Sequence, residues 1–295
     1  MNPIDTAALT RRRAADPDEI TRAWRNRRRG ERNEDGRLMI LAADHPARGA
    51  LGVRGDDTAM ASRADLLQRL AVALSRPGVD GVLGTADILE DLLLSGLLEG
   101  KVVLGSMNRG GLQGAEFEFD DRWTGYDADT LAANGLDGGK MLTRVCLEEE
   151  YTATVLESSG RAVTALASRG LMALVEPFLS IRVAADKVCN LLDPDSVIKS
   201  IQIAAGLGAT SAYTWLKLPV VAEMHRVLDA TTLPSLLLGG DPTGDADETY
   251  AQWAEALTHP TAMGLVIGRA LLYPAGNDVT QAVDTAVGLV HQGVS

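Results

Sequence analysis

The chain has 295 residues, 46% of them hydrophobic and 23% charged, the composition of an ordinary globular protein. Its net charge of −12 argues against nucleic acid or an acidic membrane surface as a partner. No apolar run approaches the ~20 residues of a membrane span, and the basic N-terminus lacks the apolar core of a secretory signal. The two cysteines, Cys146 and Cys189, lie far apart and read as small hydrophobes of a reducing compartment, so a cytoplasmic protein is expected.

Residues 1–36 hold nine arginines and seven acids, leaving −14 on the remainder. No aromatic platform accompanies the clusters Arg11–Arg13 and Arg27–Arg29, so they read as a solvated or subunit-contacting helical extension rather than an RNA-binding arm. The expected organisation is this Arg-rich extension over 1–36 and one domain over 37–295.

From Gly36 onward, short apolar runs alternate with longer amphipathic stretches, the rhythm of βα units on a parallel sheet. Leu38–Ala43 is a first strand, followed by a helical stretch over Thr58–Ser75. Val79–Leu83 is a second, with a short helix over Ile88–Leu98. Lys101–Ser106 is a third, leading into a long glycine-rich, acidic loop over Met107–Tyr126. A short helix from Asp127 precedes a fourth strand, Gly139–Val145, and Glu148–Ser168 is a long helix. Leu171–Val175 is a fifth strand with irregular chain behind it. Asp195–Leu207 is helical, with Gly206 and Gly208 as stop signals. Ser211–Leu216, Ser235–Leu238 and Met263–Ile267 complete eight strands, and Val279–Val290 is the last helix. An open doubly wound sheet would carry G-x-G-x-x-G in its first βα turn. Here that turn reads Asp44-His-Pro-Ala-Arg-Gly49, so a single α/β domain closed as a (β/α)8 TIM barrel is expected.

In such a barrel the chemistry sits at the C-terminal ends of the strands. Those ends hold Asp44, Arg109, Lys140 and Arg144, Glu176, Lys217, the turn Gly239-Gly240-Asp241, and Gly268-Arg269. Lysine is the informative residue, since the chain has only five against 23 arginines. A lysine at the end of an apolar strand suggests a need for an amine, which arginine cannot supply. A buried amine near a second cation loses its proton more readily and can attack a carbonyl to form an iminium. A capping or snorkelling lysine is the other reading.

Alternation sets Glu176 on one face with Met172 and Leu174, where it can shuttle a proton or neutralise a lysine. Asp44 can orient an amine, bind a substrate hydroxyl or cap the loop. Lys140, Leu142 and Arg144 share a face. Lys140 starts low and Arg144 lies nearer the rim, and either can belong instead to the lower rim or the helix layer. Gly239, Gly240, Gly268 and Arg269 fall where barrels often hold a phosphate between the last two βα loops. Arg109 or Arg144 then meets a second anion. The four histidines show no metal-ligand spacing, and neither a metal nor another cofactor is expected.

Several of these segments are familiar. Leu41-Ala-Ala-Asp44-His-Pro-Ala-Arg48-Gly49-Ala50-Leu51 resembles the first-strand D-Q-R-G-A-L motif of class I tagatose-bisphosphate and related sulfo-sugar phosphate aldolases, with two extra residues after the aspartate. Leu216-Lys217-Leu-Pro219-Val220 resembles their sixth-strand segment, whose lysine forms the Schiff base. Gly139-Lys140-Met-Leu, Val175-Glu176-Pro177 and Gly268-Arg269-Ala270 are similar to their fourth-, fifth- and eighth-strand segments. In overall text the chain resembles an actinobacterial (β/α)8-barrel aldolase-like family associated with inositol catabolism loci. AADHPARGALGV, GSMNRGGL, SAYTWLKLPVV and GRALLYP carry that resemblance.

The resemblance implies a class I aldolase acting on a small phosphorylated sugar, with 2-deoxy-5-keto-gluconate 6-phosphate as a candidate, cleaved to dihydroxyacetone phosphate and malonate semialdehyde. It also implies a homo-oligomer. Which of Lys217 and Lys140 carries the imine stays open. A deoxyribose-phosphate-type or transaldolase-like Schiff-base enzyme, and a non-catalytic sugar-phosphate-binding barrel, are the alternatives.

Overall fold

A computed structural model describes residues 3–31, 35–184, 187–240 and 244–291. Eight parallel strands close into a barrel: β1 (Leu38–Ala42), β2 (Gly81–Gly84), β3 (Val102–Ser106), β4 (Gly138–Val145), β5 (Met172–Ala184), β7 (Thr214–Pro219), β8 (Ser235–Leu238) and β9 (Ala262–Ile267). The ring runs β1-β2-β3-β4-β5-β7-β8-β9 and closes through β9 on β1. A ninth strand, β6 (Lys187–Asn190), folds back antiparallel on the far end of β5.

The helices are α1 (Thr6–Ala15), α2 (Asp18–Asn26), α3 (Arg63–Leu74), α4 (Ala86–Leu94), α5 (Ala128–Ala133), α6 (Tyr151–Ala167), α7 (Pro194–Ala205), α8 (Met224–Leu228), α9 (Ala246–Ala256), α10 (Arg269–Leu272) and α11 (Val279–His291). Their starts are written in the sequence. Ser62, Asp127, Asp193 and Asp245 each accept a backbone N–H of the following turn with the side chain, satisfying a donor that the first helical turn leaves unpaired. Among the described residues no helix is long and apolar enough to cross a membrane.

Alternation along the strands divides the core in two. Leu38, Ile40, Leu104, Leu174, Trp215 and Val266 fill the barrel interior. Their neighbours Met39, Leu41, Val103, Val175, Leu216 and Leu265 face the helix layer. The interior rows continue toward the C-terminal rim as Asp44, Lys140, Glu176 and Lys217, so the packed plug ends where polar side chains begin.

Two expectations need correction. The chain after Val175 is not irregular: β5 runs on to Ala184 and pairs with β6 in a hairpin above the barrel. The sixth barrel strand, β7, begins at Thr214 rather than Ser211 and extends through Pro219, so Lys217 lies within the strand and not just beyond it.

The helices α1 and α2 pack against the helix layer at α4, and the chain after α2 reaches the N-terminal end of the barrel. Arg13 pairs with Glu90 and Asp91, each at 2.9 Å, and Arg12 donates to the Leu94 carbonyl at 2.6 Å. Arg27 departs from the expected solvated face. Its buried guanidinium donates to the carbonyls of Leu98, Lys101 and Gly135 at 3.3, 2.8 and 2.8 Å, just before β3 and β4 begin.

Candidate active site

Register explains how two lysines from different levels meet. Lys140 on β4 stands beside Leu174 of β5, which in turn stands beside Trp215 of β7. Glu176 is one inward position above Leu174, beside Leu142, and Lys217 is one above Trp215. Lys140 thus starts a layer lower and reaches up, and its Nζ lies 2.9 Å from Asp44 Oδ2 and 2.6 Å from Glu176 Oε2. Lys217 Nζ lies 3.0 Å from Glu176 Oε1. All four side chains are largely buried, and they line a cavity of about 700 Å³ at the strand ends.

The lysines differ in their charge balance. Burial pulls the Lys140 amine down, but Asp44 and Glu176 overcome it and hold the ammonium above its ordinary pKa. Burial also pulls Lys217 down; Glu176 and Asp44 oppose this, Lys140 adds to it, and the net is a lowered pKa. Glu176 would be raised by burial, yet Lys140 and Lys217 pull it down to about 2. Asp44 is likewise pushed up by burial and held below the ordinary carboxylate range by the same lysines. The result is two carboxylates, one firm ammonium and one amine that deprotonates readily.

His45 follows Asp44 in a single 3-10 turn, His45–Arg48, and lines the cavity. Burial holds it neutral, its pKa lowered to about 3 despite Asp44, with Arg269 adding to the fall. Gly239, Gly240, Gly268 and Arg269 line the cavity from the ends of β8 and β9. Gly268 permits close approach, since a Cβ there would stand 2.5 Å from the Ala42 carbonyl oxygen. Asp241 of the predicted turn lies outside the described residues. Among the described residues no group of three or more His, Cys, Asp or Glu is arranged to hold a metal ion.

Arg144 lines the cavity and is ion-paired with Glu118, a buried acid from the loop between β3 and α5. Arg109 departs from expectation: it is exposed and does not line the cavity. The preceding Asn108 fixes the loop's path by clasping Leu142, donating to its carbonyl and accepting from its N–H, both at 2.9 Å. Beyond Arg109 the loop folds tightly over β4, where Gly110 and Gly111 both have positive φ. A Cβ on Gly110 would fall 2.0 Å from the Leu142 side chain.

Sequence reading missed Glu118, whose role depends on a loop path it could not supply. It also left Arg48 without a role, although the first-strand motif contains it; Arg48 lines the cavity too.

The (β/α)8 fold is shared with aldolases of known structure. A Schiff-base-forming fructose-1,6-bisphosphate aldolase aligns with TM-score 0.63 at 19% identity, covering 92% of this chain and 100% of that one. An archaeal fructose 1,6-bisphosphate aldolase gives 0.64 at 18%, covering 92% and 98%. No curated protein matches the chain. The crystal structure of Cgl0159 from Corynebacterium glutamicum (Brevibacterium flavum) is 53% identical, with TM-score 0.95 over 99% of this chain and 100% of that one. The Cgl0159-like family model matches residues 36–287, and the chain belongs to that family.

Proposed function

We propose that the protein is a class I aldolase in which Lys217 forms the Schiff base. The observation that carries this reading is the asymmetry of the two buried lysines around Glu176: the amine of Lys217 is lowered and that of Lys140 raised. A nucleophilic lysine must be neutral when it meets a carbonyl. The fold-sharing archaeal enzyme whose catalytic lysine is covalently bound to a carbinolamine intermediate lends support by analogy.

In this mechanism the Lys217 amine adds to the ketone carbon, giving a carbinolamine. Glu176 relays a proton from the Lys140 ammonium to its hydroxyl, which leaves as water, and an iminium forms. A carboxylate, Asp44 or Glu176, then takes the proton from the substrate hydroxyl on the β-carbon, the atom of the scissile bond farther from the iminium. That bond breaks, its electron pair moves into the iminium to give an enamine, and an aldehyde departs. Protonation of the enamine and addition of water return the second carbonyl product and the free amine. Gly239, Gly240, Gly268 and Arg269 hold the phosphate, and Arg144 assists at a second anionic group.

The substrate is a phosphorylated keto-sugar or keto-sugar acid. We take 2-deoxy-5-keto-gluconate 6-phosphate, of inositol catabolism, as the first candidate, because its carboxylate would use the extra arginines. The protein is proposed to act in the cytoplasm as a homo-oligomer. Retro-aldol assays on a panel of ketose phosphates test the reading. The unmodified protein should cleave at least one to a triose phosphate, and Lys217→Ala should be inactive while melting cooperatively. Full activity in Lys217→Ala would refute it.

A further inference from the structure

The cavity is electrostatically unlike the rest of the chain. Five cationic side chains, Arg48, Lys140, Arg144, Lys217 and Arg269, line it against two carboxylates, Asp44 and Glu176, in a protein of net charge −12. Most of these cations are answered from within. Lys140 has both carboxylates, Lys217 has Glu176, and Arg144 has Glu118. Arg269 donates to the Gly52 carbonyl at 3.3 Å.

Arg48 is different. Its Nη1 is buried and has no hydrogen-bond partner, and among the described residues no carboxylate forms an ion pair with it. His45 Nδ1, Arg144 Nε and Arg269 Nε in the same cavity also lack a hydrogen-bond partner, but Arg144 and Arg269 each hold another contact. Burial, followed by Arg144, lowers the pKa of Arg48. The side chain is also held on a fixed turn. Gly49 N–H donates to the Pro46 carbonyl at 3.0 Å, Ala50 N–H to the His45 carbonyl at 3.3 Å, and Gln113 N–H to the Arg48 carbonyl at 2.9 Å. A half-buried guanidinium on a fixed turn, with a buried Nη1 that lacks a partner in a ligand-sized cavity, is prepared for an oxyanion from outside.

Its position distinguishes it from the proposed phosphate cradle. The Gln113 N–H that meets the Arg48 carbonyl belongs to the loop between β3 and α5, the loop that also carries Glu118, the partner of Arg144 on β4. Gly239, Gly240, Gly268 and Arg269 come from β8 and β9. Resting on the aldolase reading for the identity of the site, we infer that Arg48 recognises a second oxyanion at the end of the substrate remote from that phosphate. The preferred ligand is therefore a doubly anionic open-chain sugar, carrying one phosphate and either a carboxylate or a second phosphate.

Non-cleavable probes without a ketone test this independently of Schiff-base chemistry. Glucitol 6-phosphate has one anionic group, gluconate 6-phosphate adds a carboxylate, and glucitol 1,6-bisphosphate adds a phosphate. By calorimetry at constant ionic strength, at least one doubly anionic probe should bind the unmodified protein roughly 30-fold or more tightly than glucitol 6-phosphate. Which one gains more identifies the second group. Arg48→Met should bring all three within about 3-fold of one another, leaving glucitol 6-phosphate little changed, and Arg48→Lys should recover part of the difference.

Equal binding of all probes by the unmodified protein, no binding at all, or an advantage that survives Arg48→Met would overturn the inference. Borohydride trapping of dihydroxyacetone phosphate, run alongside, reports on the aldolase reading alone. An adduct on Lys217 in both unmodified and Arg48→Met protein, with no probe discrimination, would retain the aldolase and discard the role of Arg48. Discrimination without an adduct would do the reverse.

Discussion

Lys140 and Lys217 share one carboxylate, that of Glu176, each taking a different oxygen, at 2.6 and 3.0 Å. Because Asp44 gives Lys140 a second partner at 2.9 Å, the negative charge is divided unequally, and the lysine with less of it is the better nucleophile.

That division predicts a shifted pH profile. In Lys140→Met the cation that lowers Lys217 is gone and Glu176 acts on Lys217 alone, and both changes favour the ammonium. The acidic limb of kcat/KM should move to higher pH, with activity near neutrality falling on the order of 100-fold as the proton donor is also lost. A limb that stays in place would show that Lys140 does not set the protonation of Lys217.

Glu176→Gln should move the same limb the other way. The carboxylate is the largest influence favouring charged Lys217, so its loss lets the amine deprotonate at lower pH. Turnover should nevertheless fall by roughly 100-fold or more, because the proton relay is lost. Retained turnover with a shifted limb would assign Glu176 to charge balance alone.

Stability should weaken in acid through the same carboxylates. Glu176 and Asp44 both have folded-state pKa values below the ordinary range, Glu176 at about 2. Their stabilisation is present above the unfolded-state values near ~4 and declines as pH falls through the folded values. In urea titrations between pH 6 and pH 2, the Asp44→Asn, Glu176→Gln double variant should lose less stability than the unmodified protein. Parallel loss in the two would place the acid sensitivity elsewhere.

Arg27→Ala tests the other end of the barrel. It removes a buried donor from three carbonyls in the approaches to β3 and β4, and should cost about 3 kcal/mol in urea unfolding. Arg11→Ala, at an exposed ion pair, should cost under ~0.5 kcal/mol. Equal effects would mean that the buried guanidinium contributes no more than a surface one.

Much of the barrel is legible in the sequence because alternation and capping are local. Ser235–Leu238 has the same bounds in sequence and structure, and Asp127 caps α5 where the helix was read to begin. The misses have tertiary causes. The fifth strand runs past its expected end at Val175 because the chain pairs onward, with Pro177 opposite Thr143 and Ser180 opposite Asn190.

Lys217, expected just after Ser211–Leu216, lies within β7, where a buried cation is costly. Glu176 in the barrel interior offsets that cost, and only closure of the ring brings the two together. The height of Lys140 was readable from alternation, but its choice of partners depended on the β4–β5 register. Arg109 and Arg144 could not be ranked for the same kind of reason, since the turn at Asn108 and the Glu118 contact belong to the loop's path in three dimensions.

The covalent bond between the Lys217 amine and the substrate carbonyl carbon is tested most directly by trapping it. Borohydride reduction of the unmodified protein with dihydroxyacetone phosphate, followed by intact mass and peptide mapping, should give a single stable adduct on Lys217, absent in Lys217→Ala. An adduct on Lys140 instead, or none while the ligand demonstrably binds, would contradict it.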